Sequence, residues 1–314
     1  MCTVSPKETR DKLLKAMRKC CMRINYRAFL WGIFLCIVIV SGPAHSAQYI
    51  IAAKGEHAPV IDGHGKDNAW KSAQAIAVID QMTGGEVIVM AVYSREMIYF
   101  LVQYPDSSEN RLHKPWVWDK ELKAYKIGPQ REDTFNFKWN MEDSEVDLSN
   151  FSDDAYSADI WYWKANRTDT AGYADDKLHI LASTPGKKAT ELVSKSGQKR
   201  YLMRLGDEGR SAGKKRIIMD YQDDVENQYE PVTPEGSRAD IRAKGVWKEG
   251  VWTIEFGRKL KTGHKDDIQF DSASHRSYQF GISIAGMYGE RIDKTKPYWY
   301  GQGRISETLY LVFQ

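Results

Sequence analysis

EVIVMAVYSREMIYFLVQYPD, residues 86–106, holds two apolar runs separated by Ser94-Arg95-Glu96. In the first run Val87, Val89, Ala91 and Tyr93 alternate with Ile88, Met90 and Val92, so both faces of an extended chain are apolar. Successive side chains of a strand point to opposite faces. A strand apolar on both faces must be covered on both sides, as in the core of a sandwich. The pair predicts a β-hairpin buried between layers.

Working outward, GVWKEGVWTIEFGRKL (245–260) repeats the pattern. Trp252, Ile254 and Phe256 share one face, Trp247 sits across the turn, and Gly250 supplies the positive φ of a tight hairpin. SYQFGISIAGMYG (277–289) and SETLYLVF (306–313) predict further strands. Helical periodicity is absent apart from Asp67–Ile76, which predicts a short helix or turn. The fold class that follows is all-β, an immunoglobulin-like antiparallel β-sandwich with long irregular insertions. Asp143–Tyr156 is acidic and predicts an irregular connection. Gly186–Arg216, with ten Lys and Arg against three acidic residues, predicts a solvated insertion or a docking surface for an acidic partner.

The N-terminal 47 residues read differently. Ala28–Val40 is an apolar run of 13 residues preceded by Arg23 and Arg27 and followed by Ser41-Gly42-Pro43 and Ala44-His45-Ser46-Ala47. That order is the order of a secretory signal peptide. The run is shorter than the ~20 residues of a membrane span. The expected organisation is a signal peptide over 1–47 and a single domain over 48–314, exported to the periplasm.

Removing the leader changes the chemistry available. Of 45 Lys and Arg and 42 Asp and Glu, the leader holds eight and two, leaving 37 basic against 40 acidic side chains. A net acidic chain argues against nucleic-acid binding, which needs a basic surface. All four cysteines, Cys2, Cys20, Cys21 and Cys36, lie in the leader. The domain therefore has no disulfide, no thiolate metal site and no CxxCH attachment for haem c. No phosphate loop, dinucleotide fingerprint or Gly-x-Ser-x-Gly elbow occurs. The expectation is a protein without catalytic residues of its own.

VIDGHGKDNAWKSAQAI (60–76) resembles the opening of sandwich domains related to family 9 carbohydrate-binding modules, where an Asp-Gly pair precedes an Asp and a Trp. REDTFNFKW (131–139), ADIWYWKANRTDTAGYADD (158–176) and the long block 234–270 resemble the ethylbenzene dehydrogenase-related haem-binding domain. That family includes the γ subunits of ethylbenzene and dimethylsulfide dehydrogenases and periplasmic cytochromes. The resemblance spreads over residues 48–314. It implies a noncovalent b-type haem, held between a methionine and a lysine, in a protein that passes electrons to or from a periplasmic redox enzyme or cytochrome.

Carried over residue by residue, the methionine falls on Met82 in VIDQMTGG (78–85). A thioether is a soft axial ligand that raises the potential of haem iron. The lysine falls in ERIDKTKPYWYGQGRISETLYLVF (290–313), where Lys294 and Lys296 are the available amines. A lysine ligand must lose a proton whose pKa is ordinarily near 10.4. Trp299, with Tyr298 and Tyr300, would supply the dry wall that lowers it. Where the closest cytochrome members carry Cys-x-x-Cys-His, this chain reads NMEDSEVDLSNFSDDAYSAD (140–159). Haem c is therefore excluded, and a haem-free carbohydrate- or ligand-binding module on the same sandwich is the alternative.

The remaining residues offer weaker sites. The histidines are scattered, and His113, His179, His264 and His275 read as surface or hydrogen-bonding residues. Asp153, Asp154, Asp159, Asp175 and Asp176 could form an oxygen-rich calcium site, though without the Gly-punctuated loop of an EF-hand. In IWYW the alternation puts Trp161 and Trp163 on one face, as core. Arg258 is expected at a strand end, where Asp266 or Asp267 accepts its guanidinium protons.

Overall fold

β-branched and aromatic residues at alternating positions make strands along the whole domain. In chain order these are β1 (Gln48–Lys54), β2 (Ile76–Ile79), β3 (Glu86–Ser94), β4 (Met97–Pro105), β5 (Trp116–Asp119) and β6 (Ala124–Ile127). There follow β7 (Thr134–Asn140), β8 (Tyr156–Lys164), β9 (Asp175–Ala182), β10 (Thr190–Val193), β11 (Lys199–Gly206) and β12 (Gly213–Lys215). The last six are β13 (Val225–Glu226), β14 (Tyr229–Pro231), β15 (Arg242–Lys248), β16 (Val251–Lys259), β17 (Tyr278–Ile284) and β18 (Leu309–Phe313). This computed structural model describes residues 47–80, 84–284 and 306–314. The described helical turns are all 3-10, and Asn68–Ser72 is the turn expected within 67–76.

Two sheets face one another. The first runs β10-β11-β9-β8-β7-β17-β18, and the second runs β3-β4-β16-β15 with β2 added on β3. β1 belongs to both: Gln48–Ala52 pairs with β18, then Ala53 and Lys54 pair with β3. Both of those pairings are parallel, whereas the hairpins and ladders on either side are antiparallel. Between the sheets Phe100 meets Phe137 at 4.9 Å, and Trp139 stacks on Phe280 at 4.4 Å. Trp161, Trp163, Trp252, Ile254 and Phe256 are fully buried there, as the alternation predicts.

Both predicted hairpins form. β3 and β4 turn at Arg95, and β15 and β16 turn at Glu249-Gly250, where both residues have positive φ, 52° and 82°. Two left-handed residues give the turn whose twist matches the strands it joins.

Two connections differ from expectation in role. The basic stretch 186–216 is largely not a solvated loop. β10 and β11 form a hairpin that extends the first sheet beyond β9, because Leu192 and Leu202 have an apolar surface to cover. The irregular 141–155 connection folds over the outer face of that sheet. Val146 and Leu148 cover Tyr156, Ile160, Leu181 and Leu202 there, making a second small core.

Candidate functional site

Several acidic residues of the blocks that carry the resemblance hold the fold together. Glu255 on β16 points away from the main core and accepts from the Trp70 indole at 2.8 Å and from the amides of Asp62 and Gly63 at 3.1 and 2.7 Å. Gly63 has φ 82°, and a Cβ there would lie 2.9 Å from Val246 Cγ2. The Asp-Gly…Trp signature thus docks the 60–70 segment on the second sheet. Glu132 is buried and accepts from the amides of Asn166 and Arg167 and from the Arg167 guanidinium. Burial alone would raise its pKa, but Arg167 and His113 hold it at about 2. Asp133 accepts from the Trp252 indole at 3.1 Å.

Asp169 is the most heavily used of these. Fully buried, it accepts from Trp163 Nε1 at 2.9 Å, Gly245 N at 2.6 Å, Arg111 Nη1 at 2.8 Å and Lys244 Nζ at 3.1 Å. A buried carboxylate so served is held in one position.

At the other end of the main core lies a group with the opposite balance. Arg258 is fully buried, its Nη1 donating to Asp159 Oδ2 at 3.0 Å and its Nη2 lying 3.0 Å from Asp267 Oδ2. Of the two expected partners Asp267 is the one used, and Asp159, distant in sequence, is added. Asp176 of β9 and Asp207 just after β11 point to the same place. Among the described residues no N–H or hydroxyl donates to either oxygen of Asp176 or Asp207 or to Asp159 Oδ1. Asp267 meets Arg258 as an ion pair, and the carboxyl groups of Asp176 and Asp207 lie within hydrogen-bonding reach of each other. Burial raises the pKa of Asp159 to about 6 against the pull of Arg258, and that of Asp207 to about 8. Asp176 is raised well above the ordinary range by burial and then by Asp159. A cleft of about 780 Å³ opens beside the group, lined by Leu178, Glu208, Gly236, Ser237, His264 and Asp266 among others.

The calcium set expected from sequence is therefore only half right in its membership. Asp159 and Asp176 converge, but with Asp267. Asp175 lies on the opposite face of β9, bonded to Lys164 and Arg238, and Asp153 accepts from Ser196. Period-two geometry separates the adjacent pair Asp175 and Asp176. Of the histidines, His264 is the surface, hydrogen-bonding residue expected, and His179 departs from expectation. His264 Nδ1 lies 2.7 Å from Asp240 Oδ2 and 3.7 Å from Asp267, so it borders the acidic group. His179 is fully buried with neither nitrogen bonded, and burial beside Lys138 and Arg204 keeps it neutral.

Met82, Lys294, Lys296 and Trp299 lie outside the described residues. Their flanks are described, and they meet. Asp80, fully buried, accepts from the amide of Ile284 at 3.1 Å through Oδ1. Ser306 N donates to Ile282 O at 2.8 Å, and Ile282 N donates back to Ser306 Oγ at 3.0 Å. The chain leading to Met82 and both ends of the stretch containing Lys294 and Lys296 are thus fastened at one edge of the sandwich.

Residues 67–284 match the family model described as ethylbenzene dehydrogenase, which is well over half of the chain. The chain belongs to the ethylbenzene dehydrogenase family. The blocks that the family match spans include Trp70, Glu132, Asp169 and Arg258, all of them holding the sandwich together. Among solved structures, the chain is similar to a family 9 carbohydrate-binding module from Caldicellulosiruptor kristjanssonii in complex with glucose, at 12% identity and a TM-score of 0.38. That match covers 85% of this chain and 96% of the other. The same module in complex with cellotriose matches at 13% identity and 0.36, covering 85% and 94%. No curated protein matches. Among the described residues of this ethylbenzene dehydrogenase family member, no helix is long and apolar enough to cross a membrane.

Proposed function

We propose that this chain is an exported, non-catalytic electron carrier that binds haem b, serving as subunit or partner of a periplasmic oxidoreductase. Family membership supports the reading at the coarse level. The observation that carries it further is the edge formed by Asp80, Ile284 and Ser306. From this one edge depart the residues leading to a thioether and the residues leading to two amines, the donor types that suit the two axial positions of a haem iron. Met82 would hold one side, Lys294 or Lys296 the other, and Trp299 would shield the amine from water. When bound, haem supplies a one-electron couple. The chain's part is to keep the amine unprotonated, to keep water out, and to present the group to a partner.

The test is optical. Purified protein supplied with haemin and reduced with dithionite should give a sharp Soret band with resolved α and β bands. Met82→Ala should lose the low-spin bands, and comparing Lys294→Ala with Lys296→Ala should identify the amine. A spectrum identical to free haemin in the parent protein ends the proposal.

The second reading, a haem-free ligand-binding module, has one observation in its favour. Trp118 lies on a small sheet of β13, β5 and β6 with Tyr125 and Tyr221 each 5.1 Å from it, and Tyr221 is exposed. Such rings are able to stack on sugars. Retention on a polysaccharide column, lost in Trp118→Ala, would favour it.

A further inference from the structure

We infer that Asp159, Asp176 and Asp267 form a binding site for one divalent, oxygen-preferring cation, best suited to Ca2+. One carboxylate oxygen from each lies within 4.8 Å of the others. Ca–O distances of about 2.3–2.6 Å allow ligand oxygens to stand up to about 5 Å apart across the ion, so a single centre can touch all three.

The second observation is Asp176 itself. It is fully buried, faces the other two aspartates, and no N–H or hydroxyl among the described residues donates to either of its oxygens, the Asp207 carboxyl alone of its acidic neighbours standing within hydrogen-bonding reach. Buried polar atoms are almost always partnered, and an uncompensated buried carboxylate is costly. Arg258 does not meet the need. It engages the Oδ2 atoms of Asp159 and Asp267, leaving Asp159 Oδ1 and both oxygens of Asp176 facing one another's charge. Asp207, 6% exposed, adds a fourth carboxyl group within hydrogen-bonding reach of Asp176. Four carboxyl groups around one guanidinium are balanced either by protons they retain or by a cation that displaces those protons.

The ligand set selects the ion. It offers oxygen alone, with no thiolate, which fits a hard cation rather than zinc or copper. His264, the nearest imidazole, has its Nδ1 in contact with Asp240. Mg2+ holds several waters in a tight octahedron, which a buried carboxylate cluster accommodates less well than direct Ca2+ ligation. The cleft is lined by Glu208 and Asp266, the chain neighbours of Asp207 and Asp267. Asp159 and Asp176 belong to the first sheet, and Asp267 follows β16 of the second, so the ion would fasten the two layers at this end.

Terbium(III), a luminescent stand-in for Ca2+, reads the site directly. Trp161 donates to Asp159 Oδ2 at 3.2 Å and is therefore placed to sensitise the lanthanide. Purified protein titrated with Tb3+ under tryptophan excitation should show sensitised emission that Ca2+ displaces, and Ca2+ should raise the melting temperature relative to EGTA. Asp176→Asn should abolish both responses while retaining the parent circular dichroism. Asp143→Asn, on the exposed part of the 141–155 connection, should retain both. Absence of displaceable emission in the parent overturns the inference, and so does emission that persists undiminished in Asp176→Asn. If Asp176→Asn does not fold, the same readings on Asp207→Asn decide, since loss of this adjacent carboxylate should weaken the response and an unchanged response overturns the site.

Discussion

Asp169 and Asp176 are both fully buried aspartates, yet one has every oxygen served and the other has none. Around Asp169 an indole, a backbone amide, a guanidinium and an ammonium converge, and the carboxylate fixes the 166–172 turn against β15. Around Asp176 stand other carboxyl groups, and the Arg258 guanidinium is already engaged by Asp159 and Asp267. Burial is equal in the two places, so burial does not separate a structural carboxylate from a ligand. The balance of donors does.

The contrast can be broken most forcefully at Asp169. Asp169→Ala leaves the buried Trp163 indole and Gly245 amide without an acceptor and removes one partner each from Arg111 and Lys244. A buried donor left unsatisfied costs about 1–3 kcal/mol. Urea unfolding should show that loss. A change under about 1 kcal/mol would mean that the network is ornamental, within the range of ordinary surface substitutions.

Lys138 sharpens the comparison from the cationic side. Its ammonium is fully buried on the outer face of β7, donating to Tyr156 OH at 2.7 Å and to Asn150 Oδ1 at 3.3 Å. Burial, with Arg204 nearby and only partial help from Asp147, brings its pKa down to about 7. The unfolded chain keeps that proton up to pH ~10.4, so between the two values it binds more protons than the folded state, and stability rises with pH. The contribution approaches about 1.4 kcal/mol per pH unit in the middle of that window and vanishes below it. Unfolding free energies at pH 7 and pH 9 should differ less in Lys138→Met than in the parent. Equal pH dependence in the two proteins would contradict the assigned burial effect.

The smallest effect is expected at Asp176 in chelator. With no N–H or hydroxyl donor to lose, and with burial holding the carboxyl protonated, Asp176→Asn should shift stability by under about 1 kcal/mol. A loss as large as that of Asp169→Ala would show that Asp176 has a protein partner after all.

Much of this was legible before any coordinates. The alternation in 86–106 and 245–260 identified both hairpins, their buried faces and the Glu249-Gly250 turn, since period and turn chemistry are local. Asp267 beside Arg258 was readable because the two lie nine residues apart around a Gly-containing bend. The donors that serve Asp169 were not readable, because Arg111 and Lys244 reach it from far along the chain on either side. Asp207 gave no signal at all within its basic surroundings. The basic 186–216 stretch misled for a related reason. Its charges are obvious in sequence, while the surface that Leu192 and Leu202 cover belongs to β8, β9 and the 141–155 connection.

Sequence by itself determined the sandwich class and the absence of cysteine from residues 48–314. These follow from residue identity and short-range periodicity. Tertiary structure alone decided which carboxylates are saturated and which are bare, and that the flanks of Met82 and of the lysine-bearing stretch meet at Asp80, Ile284 and Ser306. Those outcomes depend on contacts between strands remote in sequence, and the one-residue step from Asp175 to Asp176 sends neighbouring side chains to opposite faces with opposite fates.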